Sequence, residues 1–99
     1  MRASFNGTVI AEVNESDLIR IEGNWYFPAS SVDFALLKES PTAYTCPWKG
    51  QCQYYNIVLD GVELPDAAWS YPTPYPRGLE RVGKDFSGHV AFGKEVRVD

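Results

Sequence analysis

Apolar residues recur at every second position in two stretches of this chain, Ile19–Glu22 and Tyr55–Leu59, the period of a half-buried strand. Thr8-Val9-Ile10-Ala11-Glu12-Val13 is β-branched and apolar enough to form one. Ile19 and Ile21 face inward while Arg20 and Glu22 face water, which predicts a strand over Leu18–Glu22. Gly23-Asn24 then reads as a turn into Trp25-Tyr26-Phe27, and the two strands make a hairpin. Pro28 closes the second strand, because it has no N–H to give a ladder.

The period changes once. Ser30-Ser31-Val32-Asp33 has the spacing of a capping box, and Val32, Ala35 and Leu36 follow at helical intervals. This predicts a helix of two to three turns, stopped at Ser40-Pro41 because a residue before proline avoids the α region. Period two returns over Gln53–Leu59, with Tyr55, Ile57 and Leu59 on one face. Asp60-Gly61 is a turn dipeptide leading into Val62-Glu63-Leu64. Pro72, Pro74 and Pro76 alternate, which predicts a rigid extended connector, and Arg77–Lys84 has room for one helical turn. His89–Phe92 and Glu95–Val98, split by Gly93-Lys94, complete the strands. The reading is a single mostly β domain over residues 1–99, with two antiparallel sheets and one or two short helices.

Length agrees, since 99 residues leave no room for a doubly wound nucleotide fold. Charge narrows the partners. Nine Lys and Arg against thirteen Asp and Glu leave no basic stripe, which argues against nucleic acid. No stretch approaches the roughly 20 apolar residues of a membrane span. No apolar h-region follows Met1, so a cytoplasmic location and reduced thiols are expected for Cys46 and Cys52. Those two and His89 are the only soft ligands, and none is paired at zinc spacing, so neither metal nor cofactor is expected.

The densest chemistry is Cys46-Pro47-Trp48-Lys49-Gly50, followed by Tyr54-Tyr55 and then Ala67-Ala68-Trp69-Ser70-Tyr71-Pro72. With Trp25-Tyr26-Phe27-Pro28 and the terminal Val90-Ala91-Phe92, these pieces resemble the domain-of-unknown-function 427 family over nearly the whole chain. The family is similar to the β-tent class, in which two antiparallel sheets lean together at one edge. The aromatic-walled thalidomide-binding domain of cereblon is of that class. The resemblance therefore implies a tent, here without the paired Cys-x-x-Cys zinc ligands of some relatives. The family also carries a nucleotidyltransferase-like label. The chain shows neither a glycine-rich phosphate loop nor Gly-Ser followed by paired acids, so the label is not carried over as a function.

Lys49 is the only Lys or Arg between Lys38 and Arg77, and it stands among Cys46, Trp48, Tyr54 and Tyr55. Such a cation either lays its stem over apolar surface or waits in a cleft for an anionic or carbonyl group. The cleft reading expects its ammonium to open into a pocket walled by Trp69 or Tyr71, with Cys46 nearby. Cys46 is held extended by Pro47 and is either packed or a thiol activated by the ammonium; Cys52 and Trp25 read as core. Asp60, Glu63 and Asp66 read as solvated turn acids, and His89 as a surface histidine. Three functions follow. One is a small-molecule binding or sensing module anchored by Lys49 and lined by Cys46, Trp48, Tyr54, Tyr55, Trp69 and Tyr71. Another is a small enzyme in which Lys49 polarises a carbonyl or phosphoryl group and Cys46 or Tyr71 attacks or shuttles a proton. The third is a partner-binding structural domain.

Overall fold

Three dipeptides set the architecture. Asn6-Gly7, Glu22-Gly23 and Asp60-Gly61 each place both residues at positive φ (50° and 81°, 53° and 83°, 51° and 77°). This is the signature of two-residue type I′ hairpin turns, whose twist matches that of the strands they join. In the computed structural model, which describes residues 1–99, they link β1 (Arg2–Phe5) to β2 (Thr8–Glu12), β3 (Ile19–Ile21) to β4 (Asn24–Tyr26), and β6 (Gly50–Leu59) to β7 (Val62–Ser70). The turn before the Trp25 strand is thus Glu22-Gly23, one residue earlier than the sequence suggests. Asn24 pairs with Ile21.

The remaining strands are β5 (Leu37–Cys46), β8 (Val90–Phe92) and β9 (Arg97–Val98), and all pairings are antiparallel. The chain is mostly β, as its patterning implies. It forms three sheets, ordered β2-β1-β9, β3-β4 and β5-β6-β7-β8, where two are expected. The β3–β4 hairpin remains its own sheet because Pro28 ends it; only a Phe27–Val90 bridge ties it to β8.

The helix expected after Ser30 does not form. Ala29–Ser31 and Phe34–Leu36 are single 3₁₀ turns. The Ser31 hydroxyl donates to the Pro28 carbonyl, and the Asp33 carboxylate accepts from the Ala35 N–H, so both side chains satisfy turn geometry. Val32 is drawn into a bridge with Ala11. Ser40-Pro41 lies inside β5, where the ladder to β6 is interrupted between Glu39 and Ala43. Proline is tolerated there because β5 is an edge strand.

The one α-helix is α1 (Pro76–Val82), longer than the single turn expected. Pro76 supplies a preset φ at its first turn, and Gly83 closes it at φ 79°. The connector is therefore Pro72–Tyr75, and it bends at Pro72 and Thr73 rather than running fully extended. Gly78 lets α1 lie directly on the loop between β5 and β6: a Cβ there would stand 2.7 Å from the Trp48 carbonyl oxygen.

Two apolar clusters result. One gathers Ile10, Phe27, Ile57, Val90 and Phe92. The other gathers Ile19, Ile21, Tyr26, Cys46, Tyr71 and Phe86, with Trp48, Cys52 and Trp69 packed against it. Burying each large side chain is worth about 1.5–3 kcal/mol. The second cluster holds most of the chemistry-bearing residues. No helix is long and apolar enough to cross a membrane.

Candidate functional site

Lys49 ends the short loop Pro47–Lys49, which closes the β5–β6 hairpin. Gly50 follows at φ 114°, and a Cβ there would stand 3.4 Å from the Thr73 carbonyl oxygen and from the Tyr75 nitrogen. The Lys49 carbonyl accepts from the Tyr75 N–H at 3.0 Å, so the loop and the connector hold each other. The side chain runs inward and is 6% exposed. Its ammonium lies 4.9 Å from the centre of the Tyr71 ring and 5.3 Å from that of Trp48. It is ion-paired with Glu22, on the β3–β4 turn, whose side chain is 55% exposed. Burial pulls the Lys49 pKa down, but the Glu22 hydrogen bond, Tyr26 and the Glu22 charge outweigh it and leave it above the ordinary lysine value.

Besides Glu22, three titratable groups of the cluster keep their protons. Burial pushes the Tyr26 hydroxyl up, against the Trp69 hydrogen bond that favours its ionised form. Burial likewise raises Tyr71 far above the ordinary phenol value and raises the Cys52 thiol. All three therefore hold their protons at neutral pH. Trp69 Nε1 donates to the Tyr26 hydroxyl at 3.1 Å, and Tyr54 meets the Trp69 ring edge-on at 6.5 Å. Cys46 is buried in the same cluster and both thiols are free.

The structure thus brings Lys49, Cys46, Trp48, Trp69 and Tyr71 together, with Tyr54 beside Trp69. Tyr55 is elsewhere: it packs on the first cluster and meets Phe34 edge-on at 5.9 Å. His89 faces the Ser87 carbonyl at 3.3 Å. Glu63 accepts from Asn56, while Asp66 accepts from the Thr42 hydroxyl.

The ammonium meets an acid rather than a cleft. Lys49 lines neither of the two cavities. A polar groove of about 340 Å³ runs past Tyr44, Gln51, Cys52, Gln53, Pro72 and Thr73. A second cavity of about 320 Å³ is walled by Trp25, Trp69 and Phe92, with Gly23, Asn24 and Lys94 at its edge. Trp25 is half-buried there, not sealed in the core, and the Arg20 guanidinium covers its ring at 4.6 Å.

Sequence reasoning missed Glu22, Tyr26, Trp25 and Phe92. A buried ammonium demands an acid, which is a signal, but any of thirteen Asp and Glu could have met it. The family described as a domain of unknown function (DUF427) matches residues 1–99, the whole chain. No curated protein matches it.

Proposed function

The chain belongs to the domain-of-unknown-function 427 family, and on that premise we propose that it is a small-molecule-binding module whose ligand occupies the Trp25–Trp69 cavity. The observation that carries this reading is the convergence of two indoles and Phe92 on one cavity with a free cation, Lys94, at its edge. Flat aromatic walls favour a planar apolar body, while Lys94 and Asn24 favour an anionic or carbonyl-bearing end. Lys49 serves this site indirectly. Its pairing with Glu22 fixes the turn whose next residues, Gly23, Asn24 and Trp25, form one wall. Trp69 links the two, with its ring on the cavity and its N–H on Tyr26. The proton retained on Tyr71 weighs against that residue as the nucleophile of the enzymatic alternative. Two free thiols fit a reducing compartment, and we take it to be the cytoplasm.

Benzoate and benzamide are suitable probes, followed by tryptophan emission and by amide shifts. Saturable binding at millimolar concentrations is expected, centred on Gly23–Trp25 and Gly93–Lys94. Trp25→Ala should weaken it at least about tenfold, the loss of one large stacking surface. Saturable shifts centred instead on Gln51–Gln53, or none at all, would overturn the assignment.

A further inference from the structure

Four cations of this chain have an acid within reach: Arg2 with Glu12, Lys38 with Glu63, Lys49 with Glu22 and Arg97 with Asp99. Arg20 and Lys94 stand unpaired and singly, whereas the helical segment gathers its cations. Pro76–Lys84 carries Arg77, Arg81 and Lys84 against a single acid, Glu80, within a protein of net charge −4, and none of the three is ion-paired. Arg77 and Arg81 stand one helical turn apart, so they share a face of α1.

Both guanidiniums are already held. The Arg81 guanidinium carbon lies 4.4 Å from the centre of the Trp48 ring, and that of Arg77 lies 5.4 Å from Tyr75. One Arg77 nitrogen also donates to the Pro47 carbonyl. The aromatic platform is rigid, because Gly78 packs on the Trp48 backbone and the Tyr75 N–H bonds to Lys49. The buried Lys49 ammonium approaches the same Trp48 ring. A stacked guanidinium has little rotamer freedom left to lose, and the donors around its edge stay available.

We propose that Arg77 and Arg81, stacked on Tyr75 and Trp48, form an anion site that takes a phosphomonoester dianion. Two forks about 5–6 Å apart at their roots can share the three oxygens of a phosphate, whereas a carboxylate offers two. The surface uses none of the residues of the Trp25–Trp69 cavity. It stands or falls independently of that proposal.

The test is an amide and arginine side-chain NMR titration at constant ionic strength. It uses inorganic phosphate, a phosphoserine peptide and, as a control, acetate. Saturable shifts are expected at Arg77, Arg81 and Trp48 for both phosphates and not for acetate. Tighter binding of the peptide would assign the group to a protein partner, and equal binding to a small molecule; both uphold the site. The combined Arg77→Gln and Arg81→Gln variant should lose more than about tenfold in affinity with its unfolding midpoint unchanged, while Arg2→Gln, at an exposed arginine on β1, should lose none. Lowering the pH from about 7.5 to about 5 should weaken binding as the phosphate becomes a monoanion. If the double variant fails to fold, Arg81→Lys carries the test, because lysine keeps the charge without the fork. Equal affinity for acetate, or full affinity in either variant, would overturn the proposal.

Discussion

The Lys49 ammonium, 6% exposed, is neutralised by the carboxylate of Glu22, 27 residues earlier in the chain and 55% exposed at its side chain. One partner is buried and the other is wet, so the two halves of the pair are not equivalent. Removing Glu22 leaves an ammonium with no carboxylate in a shielded site. Removing Lys49 leaves a carboxylate that water can solvate. Glu22→Ala should therefore cost about 1–3 kcal/mol, while Lys49→Met, which keeps most of the stem, should stay within about 1 kcal/mol of the parent. Urea unfolding of the two variants checks the order. Equal losses would mean that Glu22 does not carry the pair.

Alkaline pH should expose the same cluster. Cys52, Tyr26, Tyr71 and Lys49 all have pKa values raised above their ordinary 9.0, 10.0, 10.0 and 10.5. Each keeps its proton in the folded state after the unfolded chain has released it. Their contribution is fully present below the unfolded values and is lost as pH rises towards the folded ones. Stability should thus begin to fall above about pH 9 and drop more steeply past about pH 10. Tyr71→Phe, which removes the phenol shifted furthest, should flatten that limb. Unfolding midpoints between neutral and alkaline pH measure both effects. An unchanged limb in Tyr71→Phe would contradict them.

Alternation over Ile19–Glu22 and the Asp60-Gly61 dipeptide made their strands legible, whereas β1 (Arg2–Phe5) was not read although Asn6-Gly7 marks its turn. Arg20 and Glu22 face out as their alternation requires, and Asp60-Gly61 turns where it should. The segment from Ser30 to Pro41 was misread because its short-range signals are ambiguous. Ser31 and Asp33 bond to their own backbone as readily in a 3₁₀ turn as in a helix cap, and only pairing with β6 decides that Leu37–Cys46 is a strand. The cluster round Lys49 was legible because its members crowd two short motifs. Glu22 was not, since the ion pair depends on a hairpin docking from the first third of the chain.

Gly78 gives a prediction in which two effects oppose each other. Alanine is the better helix former by up to about 1 kcal/mol. A Cβ at this position would stand 2.7 Å from the Trp48 carbonyl and 3.3 Å from the Lys49 Cα, both backbone atoms that cannot swing away. Overpacking of this kind costs about 1–3 kcal/mol, so the clash should win and Gly78→Ala should lower the thermal midpoint. It should also weaken the phosphate site, because α1 must lift off Trp48. A more stable Gly78→Ala protein would show that the loop yields.

Trp69 and Tyr26 supply the last prediction, because their hydrogen bond joins the cavity wall to the Lys49 cluster. Tyr26 is 1% exposed, whereas Trp69 is half-buried and borders the cavity. The indole N–H donates and the phenol oxygen accepts. In Tyr26→Phe the indole loses its acceptor, but the half-buried ring borders a cavity where water can take the acceptor's place. In Trp69→Phe the buried phenol loses its donor, and the wall also loses part of its surface. Trp69→Phe should therefore cost more, about 2–3 kcal/mol against about 1 kcal/mol for Tyr26→Phe. A double-mutant cycle should return a coupling of about 0.5–1.5 kcal/mol for the bond itself. Zero coupling in urea unfolding would mean that the two rings merely touch, and the link between the cavity and Lys49 would have to run through the Glu22 turn alone.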